Sequence, residues 1–383
     1  MKTFNKLTVL FIMAIAVIGI FASCKKDDLP NGGQPRIKYV RVTNPTSADS
    51  LLVGAGQGQL IAIIGENLGG AQSMWFNNQP ATLNPTYVTN TSIIVNVPTP
   101  IPTEINNKLK IYFANGDSLL YNFEVQIAEP SLTGMLSEFV NVGEVATIRG
   151  DFFYEPLTVT FAGGVVGELV SVEDKIIQVR VPAGALPGPI TVKTNFGETE
   201  SDFWFRDNRS IFISSDPYSG WWNSAYVVTP AQVAAGDPVS INGNYIRFKK
   251  PIGAWSWNEV AGGPASAMGD ISKSVPDAAI LKPEDYNLKF EVNTIKPYNN
   301  NMLKINVGLL KEDNDAYLWK PPYDTKGQWQ TVVIPFEEVA ASYKIKPTVN
   351  PDGYWTRLLF HGPGDLDADI SFDNFRVVPK IIK

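Results

Sequence analysis

Through most of this chain, apolar and polar residues alternate in short runs broken by Gly, Pro and Asn, the pattern of strands that bury one face. Residues 61–68 (IAIIGENL) recur as residues 145–153 (VATIRGDFF), so that Gly65 and Gly150 correspond at a distance of 85 residues. In each copy a strand ends in phenylalanine 11 residues after that glycine, at Phe76 and Phe161. A further strand is closed by proline, at Pro98 and Pro182, and a last one reaches 109–113 in the first copy and 190–194 in the second. The spacing predicts two tandem β-sandwiches, over residues 36–128 and 129–207. The repeated glycine is expected to supply a positive φ where the strand turns, and the proline to end a strand that needs no further ladder donor. No stretch of the repeats has a 3.6-residue period.

After Arg206, Asp207, Asn208 and Arg209 the repeat stops. Alternating segments at 245–249, 287–292, 302–309, 329–335, 357–360 and 370–377 predict one larger β-sandwich of jelly-roll type over 208–383. The fold class expected is therefore all-β, two immunoglobulin-like sandwiches followed by a larger one.

The first residues follow a different pattern. Lys2 and Lys6 precede an apolar run to Phe21, then Ala22, Ser23 and Cys24, the only cysteine. That is a signal peptide over 1–23, too short in its apolar part for the roughly 20 residues that cross a bilayer. A lone cysteine at this position resembles a bacterial lipobox, which implies lipidation of Cys24. Lys25, Lys26, Asp27 and Asp28 resemble an export signal to the outer face of the outer membrane. Residues 24–35 then read as a flexible tether.

Seven of the nine tryptophans lie beyond residue 208. Trp221, Trp222, Trp255 and Trp257 sit beside glycine turns rather than inside apolar runs, which marks them as exposed platforms for sugar rings. In an extended chain Trp221 and Trp222 face opposite ways, so one is expected to pack and the other to be exposed, whereas Trp255 and Trp257 can share a face. Trp319, with Tyr317 and Tyr323 around a Pro-Pro corner, reads equally as platform or core. Asn223, Asn258, Glu259 and Arg357 are candidate readers of hydroxyl groups. Trp329 and Trp355 precede alternating strands and read as packing residues, as do Trp75 and Trp204.

A net charge of −6 makes nucleic acid an improbable partner. One histidine, His361, and one cysteine leave no zinc site, no Cys-His pair and no G-x-S-x-G elbow for a triad. No phosphate loop is present. Residues 312–315 (EDND) read as a solvated turn, not as the alternating carboxylates of a jelly-roll glucanase. Asp365, Asp367, Asp369 and Asp373 read as a polar turn before the last strand, with calcium as the other possibility. Neither a cofactor nor a metal is expected.

The repeated I-x-G-x-N-L turn with its proline-closed strand resembles the TIG/IPT immunoglobulin-like domain. Residues 327–336 (GQWQTVVIPF) and 369–377 (DISFDNFRV) resemble an edge strand and the final strand of carbohydrate-binding jelly rolls. Together with the leader, the chain is similar to the surface glycan-binding lipoproteins of Bacteroidetes polysaccharide-utilisation systems, in particular their xyloglucan-binding type. That resemblance implies a protein anchored in the outer membrane, exposed at the cell surface and not an enzyme. It would capture a β-glucan and hold it for a surface glycanase and an outer-membrane transporter. A jelly-roll glycoside hydrolase and a surface adhesin acting through its TIG domains are the alternatives.

Overall fold

The computed structural model describes residues 33–47, 49–308 and 316–380. Cys24, the leader and residues 312–315 lie outside the described residues. Among the described residues the strands pair antiparallel, apart from the parallel pair Gly54–Gly56 with Glu124–Gln126, and no helix is long and apolar enough to cross a membrane.

The described residues up to Ile127 form one compact unit. Its first sheet has the strand order Leu51–Leu52, Arg36–Val42, Leu60–Glu66, Ser92–Asn96, and its second Gln79–Ala81, Ala71–Phe76, Lys108–Phe113, Ser118–Asn122. Alternate residues such as Ile61, Ile63, Leu109 and Ile111 are fully buried between the two sheets, and Phe76 meets Phe123 edge-on.

The second unit, from Ala128 onward, opens with the second repeat. Its sheets run Ser131–Met135, Val145–Asp151, Ile176–Arg180, Glu168–Glu173 and Val165–Val166, Leu157–Phe161, Gly188–Thr194, Gly197–Phe205. The repeat extends to irregularities: the register slips between Ile37 and Tyr39 in one copy and between Leu132 and Gly134 in the other.

The repeated glycines have a different role from the one expected. Neither Gly65 nor Gly150 has a positive φ; the left-handed residues are Asn67 and Phe152, two positions later. A Cβ on Gly65 would stand 2.1 Å from the carbonyl oxygen of Arg36, and one on Gly150 1.9 Å from that of Ser131. Both glycines are required by close approach of the neighbouring strand, at the point where the sandwich edge is sealed.

The C-terminal sandwich packs a six-stranded sheet on a four-stranded one. The larger has the path Val227–Val228, Tyr245–Ile252, Leu366–Pro379, Tyr286–Thr294, Gln330–Pro335, with Ile211–Ile213 also on the long strand Leu366–Pro379. The smaller has the order Asn258–Gly263, Trp355–Phe360, Leu303–Gly308, Tyr317–Trp319. Their inner faces meet through Phe248, Phe290, Phe360, Phe372 and Phe375, with Phe290 stacked on Phe375 at 4.5 Å. Asp365, Asp367 and Asp369 do not form a free turn: Asp365 immediately precedes the long strand Leu366–Pro379, and Asp367 and Asp369 lie within it. Asp365 accepts from the Ala254 amide at 2.8 Å, Asp367 pairs with Lys296 at 2.6 Å, and Asp369 pairs with Arg247 at 2.8 Å.

The outer face of the six-stranded sheet carries Lys289, Glu291 and Arg376, all buried, because the second repeat covers it. Glu138 of that repeat reaches Lys289 at 2.6 Å and Arg376 at 2.7 Å, and Arg376 also holds Glu291 at 2.8 Å. Thr331 links the two glutamates, its hydroxyl oxygen accepting from the Glu138 backbone amide at 2.7 Å and its O–H donating to the Glu291 carboxylate at 2.9 Å. Beside this network Phe139, Ile241, Tyr245 and Trp329 form an apolar cluster, and the Trp329 indole donates to the Val239 carbonyl at 2.8 Å. Trp329 thus opens an edge strand, packed against the second repeat. Asp373 lies on the same covered face; burial, then the charge of Glu291, pushes its carboxyl well above the usual aspartate range.

Candidate functional site

The outer face of the four-stranded sheet differs from its counterpart: it is flanked by three tryptophans that face solvent, Trp221 (56 % exposed), Trp255 (59 %) and Trp257 (46 %). Strand alternation sets it up. Leu358 and Phe360 point into the core, so Trp355 and Arg357 on the same strand point outward.

At one end, Trp221 and Trp222 are held against the sheet edge by backbone. The Trp221 amide donates to the Gly262 carbonyl at 3.0 Å, and Gly220 and Gly262 form a parallel bridge. Both glycines are left-handed, at φ 131° and 109°, and a Cβ on Gly220 would lie 2.4 Å from the Gly262 oxygen, so no other residue allows the loop so close. The indoles of Trp221, Trp222 and Trp355 then meet edge to face, with centroids 5.6–6.0 Å apart. Trp222 is half-buried between the other two, leaving Trp221 as the exposed member.

At the other end, Trp257 and Glu259 share the outer face. The Trp257 indole N–H donates to Glu259 Oε1 at 2.8 Å, and the buried Arg357 guanidinium lies 5.4 Å from the Trp257 ring and 3.7 Å from the same carboxylate oxygen. Cation–π attraction and the hydrogen bond together fix the ring plane. Tyr218 stands near Glu259; burial and that carboxylate push its phenol up to about 12, so it stays a protonated donor at neutral pH. His361 sits between Trp255 and Trp257, with centroids 5.5 and 5.2 Å away. Trp255 has a left-handed backbone, φ 57°, and is anchored by its amide to Gly362 O at 2.7 Å.

From Trp355 to His361 the strand covers about 20 Å, at ~3.3 Å per residue. The two aromatic clusters are therefore the ends of one belt, long enough to meet several rings of an extended polymer.

Several residues singled out from the sequence lie elsewhere. Trp319 is buried on the inner face among Phe290, Tyr298 and Tyr323, so it is a core residue and not a platform. Alternation on Tyr317–Trp319 turns Tyr317 inward with Trp319, and both Tyr317 and Tyr323 are half-buried against the same core. Asn258 is buried and donates to Ser256 at 2.8 Å, closing the turn that carries Trp257 instead of facing outward. Asn223 donates to the Glu259 carbonyl and so supports the site from behind. Arg357 is fully buried and acts through the Trp257 ring. Conversely, Trp355 and His361 belong to the belt. Alternation outward from the core residues Leu358 and Phe360 was the signal for Trp355; nothing in the local sequence marked His361.

A β-sandwich with a belt of exposed indoles, preceded by immunoglobulin-like sandwiches, is the arrangement of a modular binding protein. Residues 205–379 match the family described as surface glycan-binding protein B xyloglucan binding domain. An IPT/TIG domain-containing protein of Bacteroides ovatus is 34% identical over 156 residues, which cover 39% of this chain and 31% of that protein. The chain thus matches about a third of that relative's length. Among solved structures, the surface glycan-binding protein PbSGBP-B from Prevotella bryantii superposes with a TM-score of 0.68 at 23% identity, over 91% of this chain and 100% of that one. SGBP-B from a complex xyloglucan utilization locus in Bacteroides uniformis gives 0.50 at 20% identity, with the same coverage. These structures share the fold, and they are glycan-binding proteins by name.

Proposed function

We propose that this protein is a cell-surface glycan-binding lipoprotein that captures a β-glucan, xyloglucan or mixed-linkage glucan, on the outer face of its four-stranded C-terminal sheet. The observation that carries this reading is the belt of exposed indoles on a domain that matches the xyloglucan-binding family. A pyranose offers polarised C–H bonds on one face, which meet the negative face of an indole, each stack contributing about 1 kcal/mol beyond its buried area. Trp221, Trp255 and Trp257 are the platforms; Trp222, Trp355, Arg357 and His361 hold them, and Glu259 reads hydroxyls at the margin. Two or three stacks with a few hydrogen bonds correspond to dissociation constants from about micromolar to millimolar.

The division into a leader over 1–23, a tether over 24–35, sandwiches over 36–128 and 129–207 and a binding domain over 208–383 belongs to the same reading. So does the anchor: lipidated Cys24 would hold the protein in the outer membrane, and repeated weak contacts with a polymer would retain glycan for a surface glycanase and a transporter. Retention rather than hydrolysis is supported by Glu259, which is engaged by an indole N–H and faces a guanidinium, unlike the paired carboxylates a glycosidase sets about 5–9.5 Å apart.

Calorimetry of the purified protein with xyloglucan, mixed-linkage β-glucan, galactomannan and starch, with product analysis of every sample, tests the reading. Heat of binding for a β-glucan without products supports it. Released oligosaccharides would make the protein a hydrolase, and silence toward all four glycans would favour an adhesin.

A further inference from the structure

A second concavity lies on the opposite side of the C-terminal sandwich, where the second repeat meets the six-stranded sheet. It encloses about 610 Å³, within the range of small-ligand sites. Its walls are fixed: Glu138, Lys289, Arg376 and Glu291 lock the repeat to the sheet, and the Asn141 side chain donates across the seam to the Ser240 carbonyl at 2.8 Å. A groove between walls so joined is preformed and costs little ordering on binding.

The lining has a specific chemistry. Four carboxamides face it, Asn141 and Gln178 from the repeat and Asn293 and Gln328 from the sheet side. Each such group both donates and accepts, which suits vicinal hydroxyls. Asn293 is 1 % exposed; its amide donates to the Gly327 carbonyl at 2.8 Å, while its Oδ1 has no hydrogen-bond partner among the described residues. Between the amides, Val145, Ile176 and Val239 leave aliphatic surface exposed, and the Trp329 indole forms part of the wall. The charged lining residues are Glu144 and Asp237, without a single lysine, arginine or histidine. Asp237 is ion-paired with Arg247, and the lining itself offers no cation to draw uronates, phosphates or sulfates.

We propose that this groove is a second carbohydrate site, taking a short segment of neutral glycan separately from the indole belt. The proposal rests on the reading that the protein binds a neutral β-glucan. Lacking exposed indole platforms, the groove binds more weakly than the belt. Its value is geometric: two sites on one rigid body engage one polymer at high effective concentration.

Hydrogen–deuterium exchange of the protein with a xyloglucan oligosaccharide and with cellotetraose separates the two. The expected result is protection around residues 221–222 and 255–259 and, independently, around 136–147, 176–180, 237–241 and 327–329. The double variant Gln178→Ala/Gln328→Ala should lose only the second set and bind polymeric xyloglucan about threefold to tenfold more weakly. Trp221→Ala/Trp257→Ala should keep the second set at saturating oligosaccharide. Protection of the belt with unchanged groove segments would overturn the groove proposal and leave the function standing. Absence of protection everywhere would overturn the function itself.

Discussion

The two outer faces of the C-terminal sandwich are built alike and end differently. Each carries an arginine under an aromatic ring, a glutamate beside it and a tryptophan at the margin: Arg376, Glu291 and Trp329 on one, Arg357, Glu259 and Trp257 on the other. On the first face the ring over Arg376 is Phe139, from the second repeat, and Trp329 is buried with its N–H on a backbone carbonyl. On the second the ring is the protein's own exposed Trp257, with its N–H on a carboxylate. What separates the covered face from the open one is therefore whether another part of the chain supplies the apolar partner. Where it does, the ions are sealed and serve rigidity. Where it does not, the indole stays exposed to solvent.

The strongest way to break the comparison is to remove the seal. Glu138→Ala leaves Lys289 and Arg376 buried without their shared carboxylate and should cost about 3–5 kcal/mol, read as a lower urea midpoint. Glucan affinity per folded molecule at the belt should be nearly unchanged. Trp319→Ala sharpens the contrast within one residue type. As a core truncation it should cost about 3–5 kcal/mol of stability while, in the folded fraction, binding persists.

Gly262→Ala is intermediate. Its Cβ would stand 2.2 Å from the Thr356 carbonyl at φ 109°, so strain of about 1–3 kcal/mol and a displaced Trp221 are expected, seen as a lower melting temperature together with weaker binding. Trp257→Ala should weaken xyloglucan binding about tenfold, or ~1.4 kcal/mol, with little change in the unfolding midpoint.

A pH-dependent effect concerns Asp373. Its folded pKa is raised, so its contribution to stability is fully present below the ordinary aspartate value near 4 and is lost as pH rises through the raised value. Asp373→Asn keeps the neutral form's shape and should abolish that loss. Urea midpoints measured upward from about pH 4 should fall in the parent relative to the variant, and parallel curves would contradict the assignment.

Much of the fold was legible because burial on a sheet leaves a period-two trace. The paired landmarks at Phe76 and Phe161, and the prolines 98 and 182, follow from strand ends that recur in space. The repeated glycines were visible, but not their reason, since a close carbonyl from a neighbouring strand leaves no local mark. For the site, glycine-flanked Trp221, Trp255 and Trp257 stood out because turns expose what they carry. Trp319 misled because a three-residue strand is too short for alternation to show which side is inward. His361 and the covering of Trp329 depend on pairing between segments distant in sequence, which composition cannot reveal.

The central claim is that glucan lies on the indole belt of the four-stranded sheet. Calorimetry of the Trp221→Ala/Trp257→Ala variant with xyloglucan, beside its thermal unfolding, tests it most directly. An affinity loss of about a hundredfold is expected, the sum of two stacking sites at ~1.4 kcal/mol each, with the melting temperature close to that of the parent. Parent-like affinity in a folded variant would place the ligand elsewhere and contradict the claim.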